Sequence, residues 1–240
     1  MGGRQLVAAS MLTRFRDLRL LTPPGVFAPR SDASVLLDAA LPRLRGDVLD
    51  LCSGSGVLAL SAVPHAASVL AVDMSRMAAG AIRLNALLNR RRVEVRRGNL
   101  FAAVGSRRFD VILTNPPYVP TPPGAEARLG SPAWEAGPRG RDLLDRICAE
   151  AHAHLRPGGE ALIVHSALAD IDRTLELLGG SGLTAVVIAE QQGPYGSIVR
   201  SRLDYLEAAG LVHDRDEPER VVVVSAIRAA TAARPATAAR

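Results

Sequence analysis

The residues with the most chemical potential in this sequence are Asn115-Pro116-Pro117-Tyr118, which follow the apolar run Phe109–Thr114. Two consecutive prolines fix φ and remove two N–H donors. The carbonyl of Pro116 and the side-chain oxygen of Asn115 can then point the same way and accept both hydrogens of one planar NH₂ group, with Tyr118 against its flat face. The nitrogen of an amide or an exocyclic amine has its lone pair delocalised and is a poor nucleophile. Two acceptors hold it in line with an electrophilic carbon and favour pyramidalisation as positive charge develops. Positioning alone can supply up to about 7–11 kcal/mol. Such chemistry needs no nucleophilic Ser and no catalytic His.

A second constellation lies upstream. Asp50-Leu51-Cys52-Ser53-Gly54-Ser55-Gly56 follows a short apolar run and opens a helical segment. Gly54 and Gly56 let the backbone approach a ligand where a Cβ would collide. Asp73 ends the next apolar run, where a carboxylate can accept both hydroxyls of a ribose. Gly54, Gly56 and Ala59 also satisfy the loose dinucleotide pattern G-x-G-x-x-A. Asp50 tips the balance, because a carboxylate beside the turn repels a pyrophosphate. It favours an amino-acid-like ligand that carries an ammonium and a sulfonium. Gly98-Asn99-Leu100, after the third run, suits contact with an adenine edge, although an ordinary turn accounts for Asn99 almost as well. Cys52 has no base near it in sequence and reads as a packed turn residue.

These loops need a frame to position them. Strand patterns at Val48–Leu51, Ser68–Val72, Val93–Arg97, Asp110–Thr114, Ala161–His165, Thr184–Ala189 and Val221–Ile227 alternate with helical ones. The helices are expected from Ser31 or Asp32 to Leu41, Val57 to Ala62, Ser75 to about Asn89, Arg141 to Leu155, Leu168 to Leu178 and Ser201 to Ala209. Pro157-Gly158-Gly159 is expected to stop the fourth of these helices. Alternation with continuous apolar strands predicts an α/β fold: a doubly wound, Rossmann-like, mostly parallel sheet covered on both faces. An antiparallel last strand is expected at its far end. Ligands in such sheets sit beyond the carboxyl ends of the strands. Residues 1–24 read as a helical extension, 25–228 as the catalytic domain, and 229–240 as a low-complexity, disordered tail.

Composition narrows the class. The chain has 240 residues, of which 48% are hydrophobic, enough for one domain with a substantial core. No apolar run is long enough to span a membrane, and the start lacks a secretory pattern, so a cytoplasmic protein is expected. Cys52 and Cys148 read as free thiols, and no Cys/His cluster has metal-ligand spacing. The net charge of +5 comes entirely from arginine. A GC-rich coding bias explains that, while leaving an RNA-associated partner open. Aromatic content of 3% is too low for a base-stacking platform. Arg90-Arg91-Arg92, His152 and His154 read as solvated residues. Oligomeric state is not encoded in any of these patterns.

The glycine loop, the acidic strand end and Asn-Pro-Pro-Tyr-Val together resemble class I methyltransferases of the HemK type. The similarity runs from about Gly25 to Ala189 and includes Gly25-Val26-Phe27-Ala28-Pro29-Arg30-Ser31-Asp32, Pro122-Pro123 and Trp134-Glu135-Ala136-Gly137. Members methylate the glutamine side-chain amide of translation release factors, using S-adenosyl-L-methionine. The short N-terminal part resembles the eukaryotic and archaeal branch, which lacks a separate release-factor-binding domain. The resemblance implies that Asp50, Gly54, Gly56, Asp73 and Asn99 hold the cofactor, with Phe27, Ser53, Met74, Leu100 and Asn115 beside it. Asn115, Pro116 and Tyr118 would act on the acceptor amide, with Pro117 and Trp134 completing its site. Four departures stand out: Ala33 where the family has Thr, Asn99 where Asp is common, Pro138 within a Gly-Gly, and a long segment from Gly193 to Gly210. The tetrad is shared with enzymes that methylate adenine or cytosine amines of RNA and DNA, and a small-molecule N-methyltransferase also stays open.

Overall fold

The structure, a computed structural model, describes residues 12–124 and 136–230. Its frame is a seven-stranded sheet. The strands are β3 (Asp47–Leu51), β4 (Ser68–Asp73), β5 (Glu94–Arg97), β6 (Phe109–Thr114), β7 (Leu155–Ser166), β8 (Leu183–Gly193) and β9 (Glu219–Arg228), in the order β5-β4-β3-β6-β7-β9-β8. β3 to β7 are parallel, and β9 is antiparallel to both its neighbours. The last strand therefore inserts between β7 and β8 instead of closing the edge, which leaves β8 outermost.

Side chains alternate across the central strands. Leu49 and Leu51 face one layer, built with α4 (Asp142–His154) and α5 (Ile171–Gly180). Val48, Val111 and Leu113 face the other, built with α1 (Ser31–Ala40), α2 (Val57–Ala62) and α3 (Arg76–Leu88). A strand buried on both faces must be apolar throughout, which is why β3 and β6 read as continuous runs. Each fully buried leucine contributes about 1.5–3 kcal/mol. Two short helices, α6 (Ser197–Arg200) and α7 (Leu203–Ala208), precede β9.

Three expectations need correction. The N-terminal helical extension is, from residue 12 onward, a β-hairpin of β1 (Leu12–Phe15) and β2 (Leu18–Leu21). Leu18 and Leu20 are buried while Arg19 between them is exposed, a period of two. Buried Asn85 on α3 and Asn89 just after its end substitute for a further strand. Their Oδ1 atoms accept from Leu21 N at 2.7 Å and Arg19 N at 2.9 Å. Second, Pro157-Gly158-Gly159 does not follow the helix but lies inside β7. There Phe109 pairs with Leu155 and Val111 with Glu160, so the extra residues bulge out. Gly159 is needed because a Cβ would come within 3.0 Å of the Phe109 carbonyl. Third, β8 and β9 are longer than their apolar cores, since their ends carry polar residues that still pair. The expected disorder of the tail falls, beyond Ala230, outside the described residues.

Candidate active site

At the carboxyl end of β3 the chain turns tightly into α2. Cys52, Gly54 and Gly56 all have positive φ, at 57°, 55° and 84°. Gly54 N donates to Asp73 Oδ2 at 2.9 Å, and Ser75 N donates to Asp73 Oδ1 at 2.9 Å. Each carboxylate oxygen thus keeps further acceptor capacity, and Asp73 lines the cavity that opens above the strand ends. Phe27, Ser53, Gly54, Asp73, Met74 and Asn99 line this cavity. Phe27 lies over the loop, its carbonyl 3.7 Å from where a Cβ on Gly54 would sit. Asn99 Oδ1 accepts from Arg146 at 3.2 Å, which turns its NH₂ away from that arginine. Leu100 also has a positive φ of 48°. Cys52 and Leu100 both line the cavity, so two strained backbone positions lie there.

Asp50 and Gly56, expected to hold the cofactor, do not line the cavity. Both sit behind the loop. Asp50 is fully buried, and its Oδ2 accepts from Ser53 Oγ at 2.6 Å and Ala59 N at 3.0 Å. Its Oδ1 has no partner among the described residues. Burial, and secondarily the charge of Asp73, push its carboxyl up to about 7. Gly56 is needed for packing, since a Cβ would meet Ile82 of α3 at 3.1 Å. Burial also raises the Cys52 thiol far above its ordinary range, so it offers no thiolate.

The other half of the cavity forms at the end of β6. Thr114 Oγ1 donates to Leu51 O at 3.0 Å and ties this strand end to β3. Asn115, Pro116, Pro117 and Tyr118 then line the cavity. Asn115 Nδ2 donates to Asp32 Oδ2 at 3.0 Å, and Tyr118 Oη donates to the same oxygen at 3.1 Å. Burial first, then the charges of Asp32 and Glu219, hold the Tyr118 phenol well above its usual range, so it remains a donor. Trp134 lies outside the described residues.

Two carboxylates here escaped the sequence reading as site residues. By sequence Asp32 stands only at the start of the first expected helix. In fact α1 has Arg30 at its N-cap with no side-chain cap bond, and the Asp32 side chain turns into the cavity. The available signal was an acidic residue on a helix face otherwise made of Ala33, Leu36, Leu37 and Ala40. Glu219, the first residue of β9, accepts from Gly196 N at 3.2 Å, and burial raises its carboxyl. It lines the cavity with Pro194, Gly196 and Ile198. The long segment after Gly193 is therefore a cavity wall. It is fastened to the loop after the tetrad: Arg202 donates to Val119 O, Pro120 O and Thr121 Oγ1 at 2.9–3.0 Å, and Tyr205 Oη to Pro138 O at 2.9 Å.

Comparison with known proteins gives a consistent picture. Residues 17–126 match the family model described as methyltransferase small domain. A release factor glutamine methyltransferase of Geobacter sulfurreducens is 32% identical over 79% of this chain and 70% of its own length. One from Gloeobacter violaceus is 36% identical over 77% of this chain and 65% of its own, so the chain spans less than two thirds of that relative. Among solved structures, the E. cuniculi Mtq2–Trm112 complex, described as responsible for methylation of the eRF1 translation termination factor, superposes with a TM-score of 0.59. It has 19% identity and covers 85% of this chain and 99% of that one. At that identity the likeness shows the fold.

Proposed function

The chain belongs to the HemK-type release factor glutamine methyltransferase family, and from that premise we propose that it transfers a methyl group from S-adenosyl-L-methionine to the side-chain amide nitrogen of a glutamine in a protein such as a translation release factor. The observation that carries the reading is the orientation of Asn115. A carboxylate can only accept, so the bond to Asp32 fixes Nδ2 inward and leaves Oδ1 as the acceptor for an incoming NH₂. No described residue donates to that oxygen.

The residues present fit the cofactor. Asp73 retains acceptor capacity for a ribose diol, Gly54 leaves room over the loop, and Phe27, Ser53, Met74, Asn99 and Leu100 enclose the remainder. The unpartnered oxygen of buried Asp50 lies beneath the loop, and its carboxyl, pushed up to about 7, ionises more readily beside a ligand bearing an ammonium and a sulfonium. When bound, that ligand supplies an electrophilic methyl group and its own leaving group. Asn115 accepts one N–H of the acceptor amide and orients its nitrogen. The same dipole strengthens as the nitrogen gains positive charge, so it stabilises the transition state more than the ground state. Tyr118 and Pro116 confine the amide plane. Residues 25–228 would form the catalytic unit, and a release-factor substrate would place the reaction in the cytoplasm.

The test is transfer of labelled methyl to a release factor carrying a Gly-Gly-Gln loop, with RNA and DNA oligonucleotides in parallel. Label is expected on the glutamine amide, located by mass spectrometry. Transfer to oligonucleotides alone overturns the acceptor assignment.

A further inference from the structure

Asp32 is a carboxylate with 6% of its surface exposed, and it makes no salt bridge with a described residue. Burying an unpaired charge is costly. The apolar layer around α1 does not require it, because Ala33, Leu36, Leu37 and Ala40 already fill that face. Its only local duty is a bond from Ala33 N to Oδ1 at 2.8 Å, one residue away. The other oxygen collects two long-range donors, Asn115 Nδ2 and Tyr118 Oη, from a loop more than eighty residues distant in sequence.

We propose that Asp32 is a positioning residue that locks the Asn115 amide with its oxygen toward the acceptor site and pins Tyr118 in the same bond network. This rests on the methyl-transfer reading above. The reason is geometric. An asparagine amide is nearly symmetric in shape, and the direction in which it presents its oxygen depends on its partners. Against a carboxylate at 3.0 Å, only the NH₂ can face inward, since the flipped amide would set oxygen against oxygen. The negative charge also polarises the amide, which makes its outward oxygen a stronger acceptor. Without Asp32 the amide is free to turn, and a site that must accept hydrogens would offer them instead.

This predicts an unusual rescue. In Asp32→Asn the lock is lost, since the new amide can either give to or take from Asn115. In the double variant Asp32→Asn/Asn115→Asp the pair is exchanged. The new amide at position 32 can give one hydrogen to the carboxylate at position 115 and the other to the Tyr118 oxygen. The second carboxylate oxygen at 115 then faces the acceptor as an acceptor.

The experiment combines steady-state turnover, product-nucleoside binding by calorimetry, and ¹⁵N–¹H spectra of side-chain amides in the unliganded protein. In the wild type the Asn115 NH₂ is expected to exchange slowly. Asp32→Asn is expected to lose that protection and about 10- to 100-fold in turnover, the range for one charge-assisted hydrogen bond, with nucleoside affinity unchanged. The double variant is expected to recover most of the loss and to show a protected amide at position 32. Wild-type turnover in Asp32→Asn, or a folded double variant no faster than the single one, overturns the proposal. If the double variant does not fold, the Asn115 amide signal in the single variant decides. Should the wild type methylate no glutamine while the amide signals behave as expected, the lock stands and the acceptor assignment falls.

Discussion

The two halves of the cavity are built by opposite strategies. The half proposed for the nucleoside is local: Ser53, Gly54, Asp73 and Met74 sit on two adjacent strand ends, held largely by backbone donors such as Gly54 N and Ser75 N. The half proposed for the acceptor is assembled from distant pieces, namely Asp32 on α1, Asn115 to Tyr118 after β6, and Gly196 and Glu219 before and on β9. A half fixed by backbone geometry tolerates change in side chains elsewhere. A half fixed by side chains reaching across the fold can be retuned by altering a single wall. One scaffold can thereby keep one cofactor and change acceptors.

If that division holds, variants should separate turnover from nucleoside affinity. The largest effect is expected for Asn115→Ala. Removing one preorganised dipole from a charge-developing site costs about 10²–10³ in turnover. Calorimetry with the product nucleoside should find affinity near wild type. Equal loss of both would erase the boundary between the halves. Asp73→Ala is the converse and comes next. Losing hydrogen bonds to a carboxylate, each contributing about 1.5–3 kcal/mol, should weaken nucleoside binding by about 10- to 100-fold. Saturating cofactor should then restore much of the turnover.

The same division explains what could be read before the structure. Gly54, Gly56 and Asp73 were legible because the turn and the next strand end lie close in sequence and their spacing carries the geometry. Their roles were less so: Asp50 and Gly56 support the loop from behind, a distinction that depends on contacts with α2 and α3 and not on order along the chain. Asn115 and Tyr118 were legible from the rare Pro-Pro between them. Asp32 and Glu219 were not, because only the packing of α1 across β7, β9 and β8 and the insertion of β9 into the sheet bring them to the site. The hairpin at Leu12–Leu21 was misread for a similar reason. Its edge is satisfied by Asn85 and Asn89, 64 and 70 residues away.

A third test uses pH and concerns the nucleoside half alone. The folded carboxyl of Asp50 lies at about 7, above the ordinary 3.8. The folded state therefore binds more protons than the unfolded one across that interval, and stability falls as pH rises through about 7. Buried His165, lowered from 6.5 to about 4, works in the opposite sense, gaining stability as pH rises between those values. The two oppose each other most strongly below pH 6.5 and still in part above it, so Asp50 dominates from 6.5 to 8 and the difference from an Asp50→Asn profile isolates it. Melting of the unliganded protein should drop there by about 1 °C, the size expected for the part of a pK unit left after the opposing histidine in a chain of this length. Asp50→Asn should flatten the profile. Saturating S-adenosylmethionine should flatten it too, because a nearby cation favours the ionised carboxylate.

The smallest expected effect lies in the acceptor half. Glu219→Gln keeps an oxygen for Gly196 N and removes only the charge, so the wall should stand and the melting temperature should hardly move. Nucleoside affinity should stay at the wild-type value, because Glu219 lies beside Asp32 and Tyr118 and not on the loop after β3. What should change is the acceptor. Loss of one partly buried charge from the wall should shift its KM by about 2- to 5-fold, the effect of roughly 0.5–1 kcal/mol. Glu219→Ala should do more, since it also strips Gly196 N of its acceptor and loosens the segment that Arg202 fastens to the loop after Tyr118. A drop in nucleoside affinity with either variant would mean that the far wall reaches across the cavity, and that the two halves form one site with no line between them.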